Sequence, residues 1–429
     1  MSGLLAPLFI ALAVAVSTLV PQAKEHIVFN GSYPSVVCPG ALGGGTEEIS
    51  LPTKNLSTRT VLGKSAILKV YKFLSITGSS APTLISGNPG SEIAFESVAG
   101  TGIADAVCEV GGSDQWFIGG SAGVTSQGVL QIINSGLSDS TVQIVPFNSK
   151  VVLAAFSITV KANSSRNIPL ASIIPGEESV ALHIVTISGR VTSFLLDHRR
   201  SGLHDLGASF VSPVSAPATV SYIAGLYGST KGVSSTMRFL VPGAVNAHVH
   251  LTVYSDGGTF TPIGFDSLQI FHQRVVDLPL PRLSLSKPFG IEVTSDQPIF
   301  AATITQSTLG GKDFSWANQL LPISNFAVNF AGSKVGFFFM GKSLSVLALW
   351  RDERGRSRRA LITGDSSAYW QPSGLLSGIT FKTRSRAPIY GGAILTRAAG
   401  GLSYLPLLSN GLISRARAPM ADLRVLTRH

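Results

Sequence analysis

One pattern of strand, turn and strand recurs three times along this chain. It reads SVALHIVTISGRVTSFLL at Ser179 to Leu196, FGIEVTSDQPIFAATIT at Phe289 to Thr305 and GITFKTRSRAPIYGGAIL at Gly378 to Leu395. Ahead of each lies an alternating run: STVQIVPF at Ser140 to Phe147, AHVHLTVY at Ala247 to Tyr254 and SVLALW at Ser345 to Trp350. Each copy opens on an aromatic-to-glycine strand, WFIGG at Trp116 to Gly120, YIAGLYG at Tyr222 to Gly228 and VGFFFMG at Val335 to Gly341. Apolar residues at every second position build a half-buried strand, because successive side chains leave opposite faces of a sheet. The period of about 90 to 110 residues exceeds a solenoid unit or a propeller blade and suits one sandwich per copy.

The expected fold is therefore all-β: three tandem Ig-like β-sandwich modules with an N-terminal β-rich extension. The modules are set at 108–214, 215–323 and 324–410, followed by a basic tail at 411–429. Linkers fall near Val211 to Thr219 and Leu320 to Asn325. Residues 24–107 hold strand-like runs such as Val36 to Cys38, Ala66 to Ile76 and Ser91 to Ala99, separated by Gly, Pro and Ser clusters, and are expected to pack on the first module. The composition agrees, with 45 Gly, 23 Pro and 13% charged residues in 429, and long amphipathic helical patterns are hard to find.

Residues 1–23 read as a signal peptide or an N-terminal membrane anchor. Gly3 to Val20 is an uncharged run of 18 positions, at the short limit for spanning a bilayer, and Ala23 offers a small residue for cleavage. No Lys or Arg precedes the run. The only two cysteines, Cys38 and Cys108, lie beyond it, and in an exported chain an even count reads as a disulfide; the alternative is two unpaired buried thiols. As a bond it would tie the N-terminal strands to the threshold of the first module. No histidine stands near either cysteine, so a zinc site has no ligand set here.

The hydrophobic N-terminus, VVCPG at Val36 to Gly40, a second cysteine ahead of SDQWFIGG, the NSG turn with TVQIV, and KDFSW at Lys312 to Trp316 together resemble a family of exported actinobacterial envelope proteins of unknown function. The resemblance runs from the export segment to Tyr404 to Leu408. It implies an exported, β-rich, envelope-associated protein, and brings no catalytic residues with it.

Charge is distributed unevenly. Residues 324–429 carry 15 Lys and Arg against four Asp and Glu, a balance of +11, so with a net charge of +10 the preceding 323 residues sum to −1. The densest point, RDERGRSRR at Arg351 to Arg359, occupies the turn that YSDGG (Tyr254 to Gly258) fills one copy earlier. Arg351, Arg354, Arg356, Arg358 and Arg359 would form a cationic hairpin tip suited to phosphates or carboxylates, with Lys382, Arg384 and Arg386 near the following turn. The plain alternative is a solubilising loop partly neutralised by Asp352 and Glu353. Nucleic acid is not an expected partner, because no aromatic-basic reader motif occurs.

Signals for catalysis are thin. GGSAG at Gly119 to Gly123 matches the G-x-S-x-G nucleophile pattern, but a strand approach rather than a helix follows Ser121. His248 and His250 share one strand face, best read as an ordinary polar outer face. DHRRSGLHD at Asp197 to Asp205 reads as a polar loop between strands; if any acid-base or metal chemistry exists, His198, His204 and Asp205 are its first candidates. Trp116, Trp316, Trp350 and Trp370 read as sandwich-core anchors. The expectation is a non-catalytic envelope protein without cofactor or metal. It would be held at the membrane or released from it, and would contact an anionic envelope component or acidic partner through its last module. A hydrolase using the 197–205 loop and a passive spacer stand as the alternatives.

Overall fold

The computed structural model describes residues 29–417, apart from 33–34, 43–45, 52–54, 62, 64–65, 70–73, 78–80, 88–90, 100–101, 203, 229–230, 310–311, 331–333, 353, 377, 398–400 and 409–412. Residues 1–23 and the tail beyond 417 lie outside the described residues, so the export segment and most of the expected basic tail do too. Tyr33–Gly411 forms one compact unit. A separate small unit contains Phe29–Ser32 paired antiparallel with Ile413–Arg417.

Among its described residues the large unit is all-β, with one four-residue helical turn at Leu170–Ile173. Its strands follow one eight-strand plan, clearest between Asp114 and Val211. There the first, sixth, third and fourth strands form one sheet: Asp114–Ile118, Ala181–Ser188, Ser140–Phe147 and Phe156–Val160. The fifth, second, seventh and eighth form the other: Ser164–Pro169, Val129–Asn134, Thr192–Ser201 and His204–Val211. Inward residues of both, among them Phe117, Leu130, Ile144, Ile184 and Leu195, fill a common core, which makes the pair a sandwich. The layer class is the expected one. The seventh strand pairs with the second, a departure from the constant-type immunoglobulin order, in which the seventh joins the sixth.

The same order returns between Asn325 and Pro406. It also returns between Ala218 and Asn318, where the sixth and seventh strands are a single 19-residue strand, Phe289–Ser307. The DQP stretch, read from sequence as a turn, continues this strand. Its first part pairs with Ala218–Leu226 and Ala247–Ser255, its last part with Val233–Leu240 and Asp313–Asn318, so it crosses from one sheet to the other.

The expected count of three modules is not confirmed, because the plan occurs a fourth time. Residues 36–107 supply their own two sheets: Val36–Cys38, Thr83–Ser86, Asn55–Thr60 and Ala66–Lys69 in one, Leu74–Thr77, Thr46–Leu51, Glu92–Ala99 and Gly102–Val107 in the other. Val37, Ile49, Leu56, Ile85 and Phe95 build its core, which continues into Ile133, Phe194 and Phe210 of the next repeat. Cys38 and Cys108 are bonded and buried in that core. The bond joins the first strand of the N-terminal repeat to the residue after its eighth, so it closes this repeat on itself. The VGFFFMG run likewise shifts: Lys334–Gly341 is the second strand of its repeat, and Asn325–Asn329 the first.

The four eighth strands, Gly102–Val107, His204–Val211, Asp313–Asn318 and Leu402–Pro406, pack against one another in a closed cycle. The ring is also closed by parallel pairing of Asn325–Asn329 with the start of Glu92–Ala99, which merges two sheets of the N-terminal and fourth repeats. At the centre, Asp313 accepts the backbone N–H of Ile103, Leu402 and Phe314 at 3.3, 2.8 and 2.9 Å, and that of Ala208 as well. One carboxyl thus ties together all four repeats. Gly207, at φ +105, passes so close that an added Cβ would lie 2.2 Å from Asp313 Oδ1, which excludes any side chain there.

Candidate functional site

The arginine hairpin joins Leu344–Arg351 to Ser357–Gly364, the third and fourth strands of the last repeat. Gly355 takes φ +74 at the tip, a turn conformation that favours glycine. Asp352 organises the loop: its carboxylate accepts the N–H of Arg354 and Arg356 and the Nε–H of Arg356 and Arg358, each at 2.9 to 3.0 Å. Desolvation, the largest single influence, pushes this carboxyl up, but the Arg356 N–H and the Arg358 and Arg356 guanidiniums together outweigh it and hold it at about 2. Two of the five arginines are therefore paired at their Nε, and Arg351, Arg354, Arg356, Arg358 and Arg359 are all exposed.

Register places further residues beside them. Within Leu344–Arg351, Val346 and Ala348 point into the core, so Leu347, Leu349 and Arg351 take the outer face. Leu347 stands opposite Leu361 on one side and Lys382 on the other; Leu349 stands between Arg359 and Thr380. Arg358 is opposite Trp350 on the other face, where Trp350 meets the Trp370 edge. Lys382, Arg384 and Arg386 are exposed, with the Arg384 N–H donated to the Ser345 carbonyl. The cations are thus divided between a tip, an outer sheet face and the following turn.

The other candidates are structural in their surroundings. Ser121 is buried and its Oγ accepts the Gly123 N–H, so it closes a turn. The 197–205 stretch is a hairpin rather than a polar loop: Asp197 and His198 lie within the strand Thr192–Ser201. Asp197 is fully buried and accepts Arg199 and the indole N–H of Trp316 at 2.9 Å each. His198 Nε2 lies 3.2 Å from Asp205 Oδ1, and His204 is exposed. On the Ala247–Ser255 strand, His248 meets Asp296 while His250 meets the Asp266 carbonyl. Among the described residues, no group of three or more His, Cys, Asp or Glu is placed to hold a metal ion.

Sequence reasoning passed over two buried polar centres. Arg238 is 3% exposed, pairs with Asp277 through two 2.7 Å bonds, donates to the carbonyls of Gly120, Val180 and Glu178, and lies over Trp316 at 4.8 Å. It pins the second repeat to the third; burial pushes Asp277 up, but Arg238 holds its carboxyl below the usual range. The second centre is carboxylic. Burial raises Asp313 to about 7 against its four N–H donors, and Asp105 well above its ordinary value with help from Glu96 and Asp313; apart from this pair, burial raises Glu109 to about 8 with help from Glu92. The available signals were a lone Arg in TMRFLV at Thr236 to Val241 and a lone Asp in GIADAV at Gly102 to Val107.

Among solved structures, the chain is similar to a tetra-tandem repeat in the extending region of a large adhesion protein, at 14% identity, 86% coverage of this chain, 93% of that one and a TM-score of 0.12. It is also similar to a chain of the T13 IBDV viral particle, at 10% identity, 86% and 78% coverage and a TM-score of 0.13. At these TM-scores neither likeness bears on fold or function. No curated protein matches. A family model does match, over residues 81–348, which is more than half of the chain and runs from the sixth strand of the N-terminal repeat into the third strand of the fourth: the chain belongs to a family of unknown function, DUF5719.

Proposed function

We propose that this is a non-catalytic exported protein of the cell envelope whose fourth repeat contacts an anionic envelope component. The observation that carries the reading is the placement of charge. The fourth repeat and tail hold the whole positive excess, and the described cations Arg351, Arg354, Arg356, Arg358, Arg359, Lys382, Arg384 and Arg386 are all exposed on one repeat. A guanidinium cluster kept open by one carboxylate suits phosphate or carboxylate groups. The apolar run at 3–20 and a buried disulfide favour an extracytoplasmic setting, with the N-terminal segment as the membrane attachment.

The test is retention of the full chain on an immobilised polyanion. Replacing Arg351, Arg354, Arg358 and Arg359 by Gln is expected to lower the salt needed for elution, because screening competes with exposed ion pairs. Elution at unchanged salt would contradict the reading. Metal analysis and labelling with a serine-reactive probe separate it from a hydrolase, for which either result would be positive.

A further inference from the structure

We infer that the outer face of the fourth repeat's first sheet docks flat on an anionic lipid bilayer. The inference rests on the anion-contact reading above and names its partner. The cross-strand pair Leu347 and Leu361 projects from this face beside Leu349, and Leu361 is 55% exposed. Lys382 flanks Leu347, Arg359 flanks Leu349, and Arg351 follows two positions along the same strand. None of the residues that register places on this face, Asn325, Ala327, Thr363 and Thr380 included, is acidic.

A soluble polyanion or an acidic protein strand needs only the cations. Leucines standing between them point to a surface with two layers, an acyl boundary for the apolar side chains and a headgroup plane for the guanidinium and ammonium groups. The long basic stems let both layers be reached from one flat sheet, since their charged ends can stay level with the headgroups while the leucines sink further. Juxtamembrane cations gain from the negative surface potential of such a leaflet. The partner of this face is therefore a membrane rather than wall polymer or protein, which the following experiment tells apart.

The experiment uses the full chain carrying L361W, bound to vesicles whose acyl chains are brominated and whose headgroups are either phosphatidylglycerol with phosphatidylcholine or phosphatidylcholine alone. Emission is read as the difference from the unsubstituted chain, so the native tryptophans and the apolar N-terminal run are common to both. The expected result is quenching of the added emission on the anionic vesicles and its absence on the zwitterionic ones, with quenching lost when R359Q and K382Q are added. Unquenched emission on anionic vesicles, in a protein whose polyanion retention still falls on arginine replacement, would overturn lipid docking and leave the anion-contact reading standing in favour of polymer or protein. Quenching of equal size on both vesicle types would overturn the electrostatic part. Polyanion retention indifferent to the arginines would overturn both.

Discussion

Asp313 accepts the backbone N–H of Leu402 at 2.8 Å, although 89 residues separate them, and the same Oδ2 accepts Ile103 from the opposite end of the chain. The carboxyl sits where four edge strands meet, so its ionisation acts on the whole ring. Burial raises its folded value to about 7, above the unfolded value near 3.9, and the folded state then holds the extra proton between those limits. Stability from this group is full at low pH and is lost as pH rises from about 4 to about 7. Glu109 and Asp105, raised in the same direction, add to the fall. The unfolding midpoint is therefore expected to drop between pH 5 and pH 8. D313N should flatten that slope, while D313A, which leaves its N–H donors unpaired, should cost about 3 kcal/mol. A wild-type midpoint that rises over this range would contradict the assignment.

Reducing the Cys38–Cys108 bond releases a loop of 70 residues and should cost about 4 kcal/mol in the chain-entropy model. Because the bond closes the N-terminal repeat on itself, hydrogen exchange should quicken first in strands between Val36 and Val107. Uniform loosening of all four repeats would show that the bond acts elsewhere.

Arg238 is the polar joint between the second and third repeats. R238A leaves Asp277 and three carbonyls without their buried donor and should cost about 3 to 5 kcal/mol. The double variant R238A/D277A should recover part of the loss, as a double-mutant cycle in denaturant unfolding would read. Strict additivity would mean that the pair is uncoupled.

The third and fourth repeats approach through glycine. A Cβ on Gly392 would lie 2.1 Å from the Ala224 carbonyl oxygen, whereas one on Gly243 would meet nothing within 4 Å. G392A should therefore destabilise by about 1 to 3 kcal/mol while G243A stays near neutral, and equal thermal midpoints would argue against the close contact.

Much of this architecture was legible where strands were long and regular. The AHVHLTVY alternation appears as Ala247–Ser255 with every second side chain buried, and SVALHIVTISGRVTSFLL as the paired strands Ala181–Ser188 and Thr192–Ser201. The N-terminal repeat escaped notice because its opening strand is three residues, its other strands are mostly short, and it has no aromatic opener like Trp116. TSDQP carried turn residues, yet pairing on both sides kept Phe289–Ser307 extended through them; tertiary partners overrode local preference. The cationic hairpin was visible because charge density needs no fold to be read. Its division into tip and sheet face was not visible, since strand register decides which of Arg358 and Arg359 faces outward. Asp313 and Arg238 were illegible for a related reason: apart from the adjacent Phe314 N–H, their partners lie between 39 and 210 residues away.

The proposal that the fourth repeat is a contact surface rather than a solubilising one is met most directly by a salt titration of vesicle binding. Full chains, wild type and with Arg351, Arg354, Arg358 and Arg359 replaced by Gln, would be compared on phosphatidylglycerol-containing vesicles from low to high ionic strength. The wild type is expected to bind more tightly at low salt and to converge on the variant as the screening length shrinks to about 3 Å near 1 M. Binding curves that coincide for the two proteins at every salt concentration would contradict it.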